Sequence, residues 1–284
     1  MQATATVPIR RLIPIGEVEL CVWEWPGRDP PVVLCHATGF HGRCWDPVVE
    51  HLPDRHIYAP DLRGHGGSSK HGPPCHWRAF GEDIARLAGT LDIAGATGAG
   101  HSMGGHAVTL AAALAPGAFS RLVLFDPVIR PPGAYGSLWA GAEFVERRRN
   151  HWKSPEEMYE RFRSRPPFQS WRPAALRSYC DHALAPAAED GGFLLACPPA
   201  IEADIYRRSS ELETNIRAEI GRITIPVRVV RCGVPKELEL TGPGDSPTDP
   251  GLAGAFQKGE DVHLIDASHF FPMEAPEAAA RLLK

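Results

Sequence analysis

The chain has 284 residues, 43% apolar and 23% charged, enough for one large core or two smaller ones. Its 28 glycines and 28 prolines are scattered without a period, which excludes collagen-like and low-complexity architectures. A net charge of -4, from 30 basic and 34 acidic residues, provides no basic field for a phosphate backbone, so no nucleic-acid partner is expected.

The longest apolar runs, such as residues 107–115, are far shorter than the roughly 20 residues that cross a bilayer, so no membrane partner is expected. Residues 1–11 (MQATATVPIRR) lack the basic stretch, apolar run and cleavage pattern of an export signal, which makes the cytoplasm the expected location. The seven cysteines are an odd set with no CxxC pair. They argue against a disulfide framework or structural zinc and are read as reduced thiols.

Residues 17–25 alternate, with Val18, Leu20 and Val22 on one face, as in a half-buried strand. Residues 31–36, 56–59, 94–100, 121–125 and 226–230 are short apolar runs and predict strands buried on both faces. Segments of helical length cover 45–52, 77–91, 103–115 and 275–283. The alternation predicts an α/β fold, a mostly parallel central sheet with helices on both faces. Between 131 and 222 it stops, and helical patterns without a convincing strand predict an inserted helical domain between core segments 1–130 and 223–284. Ser154-Pro155-Glu156-Glu157 reads as a helix start inside the insert. Arg147, Arg148 and Arg149 before it read as a solvated helix face. Residues 242–254 form a turn-rich loop, and no internal repeat is visible.

Gly100-His101-Ser102-Met103-Gly104 fits G-x-S-x-G between a predicted strand and a predicted helix. A nucleophile on such a turn needs neighbours without side chains, and its hydroxyl then stands above the sheet at the positive end of the helix. Ser102 is the candidate nucleophile. A serine needs a base, and the base needs a partner that fixes its tautomer. Among thirteen histidines, His269 follows the apolar run 262–265, where a last strand would end on the same sheet edge as Ser102. His36, His41, His65 and His101 are read as supporting residues.

These segments resemble the α/β-hydrolase fold superfamily. His36-Ala37-Thr38-Gly39-Phe40 is similar to the family's oxyanion loop, Asp61-Leu62-Arg63-Gly64-His65-Gly66-Gly67-Ser68 to its D-x-R-G-x-G-x-S turn, residues 100–104 to its nucleophile elbow and Ser268-His269-Phe270 to its histidine loop. The resemblance covers about 1–130 and 223–284 and implies that the insert is a helical cap, or lid. It also implies two places for the triad acid. In many members the acid follows the strand after the cap, where this chain has no Asp and Glu237 is the nearest candidate. In others it ends the strand before the cap, where this chain has Asp126. Asp126 is preferred and Glu237 kept as the alternative. The elbow supplies an oxyanion amide from Met103, and the resemblance assigns the second to Thr38, although the family's usual Gly is Ala37 here.

Gly64, Gly66 and Gly67 read as tight turns, with Arg63 and His65 bracing neighbouring loops. His71, Cys75 and His76 lack a fourth ligand at a recognised spacing, so no metal site is expected. The insert's aromatic residues, among them Trp139, Phe144, Trp152, Phe168 and Trp171, would pack its own small core and could wall a pocket. The expected activity is that of a cofactor-independent serine hydrolase of a carboxylic ester, thioester or lactone, with a small-molecule acyl substrate. Carbon–carbon bond hydrolysis and a slow-turnover ligand sensor that keeps the triad are the alternatives. A homodimer is compatible with the sequence, which does not determine oligomeric state.

Overall fold

In a computed structural model, which describes residues 7–139, 141–187, 191–233 and 246–284, the first half of the chain forms β1 (Ile9–Pro14), β2 (Glu19–Trp25), β3 (Arg28–Cys35), β4 (Arg55–Pro60), β5 (Ala96–His101) and β6 (Phe119–Phe125). The second half adds β7 (His151–Trp152), β8 (Leu184–Pro186), β9 (Phe193–Leu195), β10 (Val227–Cys232) and β11 (Gly259–Leu264). Eight of these make one sheet in the order β1-β2-β4-β3-β5-β6-β10-β11. All pairings from β4 to β11 are parallel, and only β1 and β2 enter antiparallel.

Side chains alternate across a strand, and that period divides the core. Val33, Cys35, Leu122 and Leu124 face one side, where α2 (Trp77–Thr90) and α3 (Met103–Leu114) bury Phe80, Ile84, Leu87, Met103, Val108 and Leu110. Val32, Leu34, Val123 and Phe125 face the other, against Val48 of α1 (Asp46–Val49) and Ala279 and Ala280 of α10 (Pro276–Leu282). Each large aliphatic side chain so buried contributes about 1.5–3 kcal/mol. The mostly parallel sheet with helices on both faces is thus as expected from the alternation of short apolar runs. All seven cysteines are free and buried, and no described helix is long and apolar enough to cross a membrane.

Between β6 and β10 lie α4 (Ala142–Glu146), α5 (Pro155–Phe162), α6 (Pro173–His182), α7 (Pro199–Arg207) and α8 (Arg217–Ile220). Ser154 caps α5 as predicted, its Oγ accepting from the Glu157 amide at 3.1 Å. The expectation of a purely helical insert is corrected by β7, β9 and β8, which pair into a small antiparallel sheet. Strands of two or three residues are too short to display a period. β1 carries no strand signal in the sequence, because Ile9 and Leu12 on this edge strand are exposed rather than alternately buried.

Candidate active site

β5 and β6 are adjacent and in register, with His101 opposite Phe125, so the next residues, Ser102 and Asp126, emerge side by side at the C-terminal edge of the sheet. Ser102 joins β5 to α3 with φ 57° and ψ -119°, a sparsely populated conformation that costs on the order of 1–3 kcal/mol. Backbone hydrogen bonds hold it there. The Ser102 amide donates to the Phe125 carbonyl at 3.0 Å, and the Gly105 and Val128 amides donate to the Ser102 carbonyl at 3.0 and 3.1 Å. A Cβ at Gly100 would collide with the Gly104 carbonyl, and one at Gly104 with the Cys35 carbonyl. The two glycines of the motif are therefore required by close approach of backbone to backbone.

The structure brings the three predicted side chains together. His269, on the loop that leads from β11 to α9 (Phe271–Glu274), places Nε2 3.1 Å from Ser102 Oγ and Nδ1 2.7 Å from Asp126 Oδ2. With Nδ1–H donated to the carboxylate, Nε2 presents a lone pair to the hydroxyl. Ser102 and Asp126 are buried, while the His269 side chain retains 13% exposure.

Asp126 itself has φ 44°. Its second oxygen, Oδ1, accepts from the Cys232 amide at 3.1 Å and from Ser246 Oγ at 2.6 Å. Thr248 Oγ1 lies 3.2 Å from Oδ1 but 2.8 Å from the Pro127 carbonyl, the better acceptor for its single proton. Burial alone would raise the Asp126 carboxyl. The hydrogen bond and charge of His269, then Ser246 and the Cys232 amide, outweigh burial and hold it below the usual 3.8. Sequence reasoning did not find these supports, since Ser246 and Thr248 sit in a turn-rich loop with no local mark of their target. Glu237, the alternative acid, lies outside the described residues.

Thr38 and Met103 are also neighbours, with Thr38 Oγ1 donating to Met103 Sδ at 3.4 Å. Neither residue's amide has an acceptor among the described residues, which leaves both able to donate to an external oxygen. Histidines brace the loop that carries Thr38. His36 Nε2 accepts from the Leu62 amide at 2.8 Å while Nδ1 donates to the Ala37 carbonyl at 2.8 Å. His65 Nε2 accepts from the Gly39 amide at 3.0 Å while Nδ1 donates to the Arg63 carbonyl at 2.9 Å. Arg63 in turn is bidentate on Asp83, at 2.5 Å twice. Burial pushes these imidazoles down, His65 to about 4 and His36 well below the ordinary value, so both stay neutral. The bracing read for Arg63 and His65 is the arrangement observed.

The inserted segment meets the same loop. Phe40 packs edge-on against Trp171 and Tyr179, each at 5.4 Å, and stacks with Phe270 at 6.3 Å. The solvated reading of the three arginines is corrected for Arg148, and none of the three lies on a helix. α4 ends at Glu146, before the run. Arg148 turns inward to pair with buried Glu202 of α7, and Arg149 lies 4.3 Å from the Trp152 ring centroid. Arg147 and Arg149 are both exposed. Glu202 sits over Gly39, where a Cβ would stand 2.5 Å from its Oε1.

A family model described as "Alpha/beta hydrolase family" matches residues 32–282. The chain belongs to that family. Among curated relatives of this α/β hydrolase, Lipase LipV of Mycobacterium tuberculosis is 36% identical over 112 residues, 38% of this chain and 41% of the lipase. Pimeloyl-[acyl-carrier protein] methyl ester esterase of Aliivibrio salmonicida is 32% identical over 102 residues, 36% of this chain and 37% of the esterase. The α/β hydrolase described here thus spans about two fifths of the length of either relative. Among solved structures, E-2-(acetamidomethylene)succinate hydrolase superposes with a TM-score of 0.76 at 24% identity, covering 96% of this chain and 97% of that one, a likeness of fold.

Proposed function

We propose that this α/β hydrolase cleaves carboxylic esters, thioesters or lactones through a Ser-His-Asp triad and an acyl-enzyme. The observation that carries the reading is the continuous hydrogen-bonded line from Ser102 Oγ through the His269 ring to buried Asp126. The names of the two curated relatives, a lipase and a methyl ester esterase, favour an ester over other carbonyl substrates.

In this mechanism Ser102 Oγ attacks the carbonyl carbon as its proton passes to His269 Nε2. Asp126 holds the ring in the required tautomer and stabilises the imidazolium. The Thr38 and Met103 amides receive the negative charge that develops on the carbonyl oxygen, and losing one such donor costs on the order of 3 kcal/mol. Collapse of the tetrahedral species breaks the ester C–O bond, and His269 gives the proton to the departing alcohol. A water deprotonated by His269 then attacks the acyl-enzyme, releasing the acid and restoring Ser102. Residues 131–222 act as the cap. Trp171 and Tyr179 of this segment, packed on Phe40, exclude water from the reacting carbonyl.

A panel of p-nitrophenyl esters of increasing acyl length tests the reading. Multiple turnovers by the wild type, absent in Ser102→Ala, are expected. Release that stops near one equivalent, with a ligand-dependent rise in melting temperature, would instead identify a sensor.

A further inference from the structure

His101 is fully buried at the end of β5, one peptide bond before Ser102, and the proposed mechanism leaves it without a role. Its Nε2–H donates to the main-chain carbonyl of His269 at 2.7 Å, and the two imidazole rings lie 4.9 Å apart. Phe40 and Phe270 close on the ring edge-on at 6.0 and 6.3 Å. Its other nitrogen, Nδ1, is buried with no hydrogen-bond partner among the described residues. A buried polar atom without a partner is costly, and among the described residues the one hydrogen bond the His101 ring makes is that to His269.

That bond closes a short circuit. Ser102 and His269 are 167 residues apart in the chain. Through His101 they are joined by one peptide link, one hydrogen bond and the Ser102–His269 contact itself. Asp126 holds the His269 ring at 2.7 Å, and Ser170 Oγ of the insert donates to Glu274 Oε1 at 2.7 Å. Ser268 Oγ donates to Glu274 Oε1 at 2.7 Å, and the Phe270 amide donates to Ser268 Oγ at 3.0 Å. Those bonds shape the loop and orient the ring, and among the described residues it is the His101 bond that joins the His269 main chain to the turn that bears the nucleophile.

We propose that His101 is a positioning residue: by tethering the His269 main chain to the nucleophile's own turn, it sets the distance between the serine hydroxyl and the base. The proposal rests on the reading of Ser102 and His269 as nucleophile and base. Burial, the largest influence, and the neighbouring His269 hold the His101 imidazole down at about 3. It therefore stays a neutral donor and adds no positive charge beside a ring that must itself accept a proton.

Two near-isosteric variants separate the hydrogen bond from the space it fills. His101→Gln retains an N–H donor at similar reach, whereas His101→Met fills similar volume without one. The rate at which a fluorophosphonate labels Ser102 and the kcat and KM for a short p-nitrophenyl ester are measured for both, below their melting temperatures. A misplaced base costs on the order of 10²-fold. His101→Met should lose about that factor in labelling rate and in kcat, with KM within about twofold of wild type, and His101→Gln should recover most of it. Should His101→Met not fold, His101→Phe takes its place in the same comparison. A donor-free variant that labels as fast as wild type, or a Gln variant as impaired as the Met variant, overturns the proposal. Wild-type protein that labels at Ser102 but turns over no ester would count against the ester reading alone, and the labelling ratio would still decide the role of His101.

Discussion

Ser246 Oγ donates to Asp126 Oδ1 at 2.6 Å, on the carboxylate oxygen that faces away from His269. The bond is charge-assisted, and such bonds contribute about 1.5–3 kcal/mol. It leaves Oδ2 free for the imidazole and helps hold the carboxyl low. Ser246→Ala should lower kcat by about threefold to thirtyfold while Asp126 stays ionised. Steady-state kinetics at neutral pH provide the check, and an unchanged kcat would show that the Cys232 amide alone suffices.

The acid itself is tested by two carboxamide variants. Asp126→Asn retains shape but favours the wrong His269 tautomer, and loss of activity by about 10³–10⁴ is expected. Glu237→Gln should stay within about threefold of wild type, because a residue outside the triad contributes no tautomer control. The opposite ranking of kcat/KM would move the acid to residue 237.

Gly104→Ala probes the turn. The added methyl meets the Cys35 carbonyl, part of the backbone that leads into the Thr38 loop. Overpacking of this kind costs typically 1–3 kcal/mol. Here the displaced atoms are backbone, so the loss of activity should exceed what the drop in melting temperature explains. Circular dichroism melting alongside ester turnover separates the two effects.

Arg148 pairs with the buried Glu202 inside the insert, where Glu202 sits over Gly39 of the Thr38 loop. Removing one partner of such a pair destabilises by about 3–5 kcal/mol, because the other charge is left buried. Arg148→Met should therefore be markedly destabilised, and the Arg148→Met/Glu202→Gln double variant should regain part of the loss. Equal denaturation midpoints for the single and double variants would show that the two groups are not coupled.

Stability should also fall in mild acid, and the sign follows from the buried histidines. Burial lowers His41 and His101 to about 3, His65 and His106 to about 4, and His36 well below the ordinary 6.5. Unfolded, each takes up a proton below 6.5, whereas folded it remains neutral until the lower value is reached. Stability is therefore complete above 6.5 and is lost as pH falls below it, by about 1.4 kcal/mol per pH unit for each such histidine. Melting temperature recorded from pH 8 to pH 4 should decline steeply below about pH 6, and a flat profile over that span would contradict this assignment.

The parts of the site that follow from chain-local physics were legible in the sequence. Gly100 and Gly104 flank Ser102 because backbone approaches backbone there, and that requirement is written into the motif. His269 follows the end of an apolar run, which marks one edge of a parallel sheet, whereas Asp126 was one of two places that the resemblance to the α/β-hydrolase superfamily offered for the acid. The contacts of Ser246, Thr248 and the Cys232 amide with Asp126 were not legible, since each joins distant segments through residue types common in any loop. Nor could three consecutive arginines reveal which would turn inward, because that depends on α4 ending at Glu146 and on Glu202 lying opposite. The two- and three-residue strands of the insert fall below the length at which periodicity exists.

The most direct test of the account is to trap the acyl-enzyme. Wild-type protein mixed with an activated ester, quenched in acid within the first turnover and digested should yield, by mass spectrometry, one acyl adduct on the peptide that contains Ser102. The Asp126→Asn variant should form it far more slowly. Ester turnover with no adduct at Ser102, or undiminished turnover by Ser102→Ala, would contradict the account.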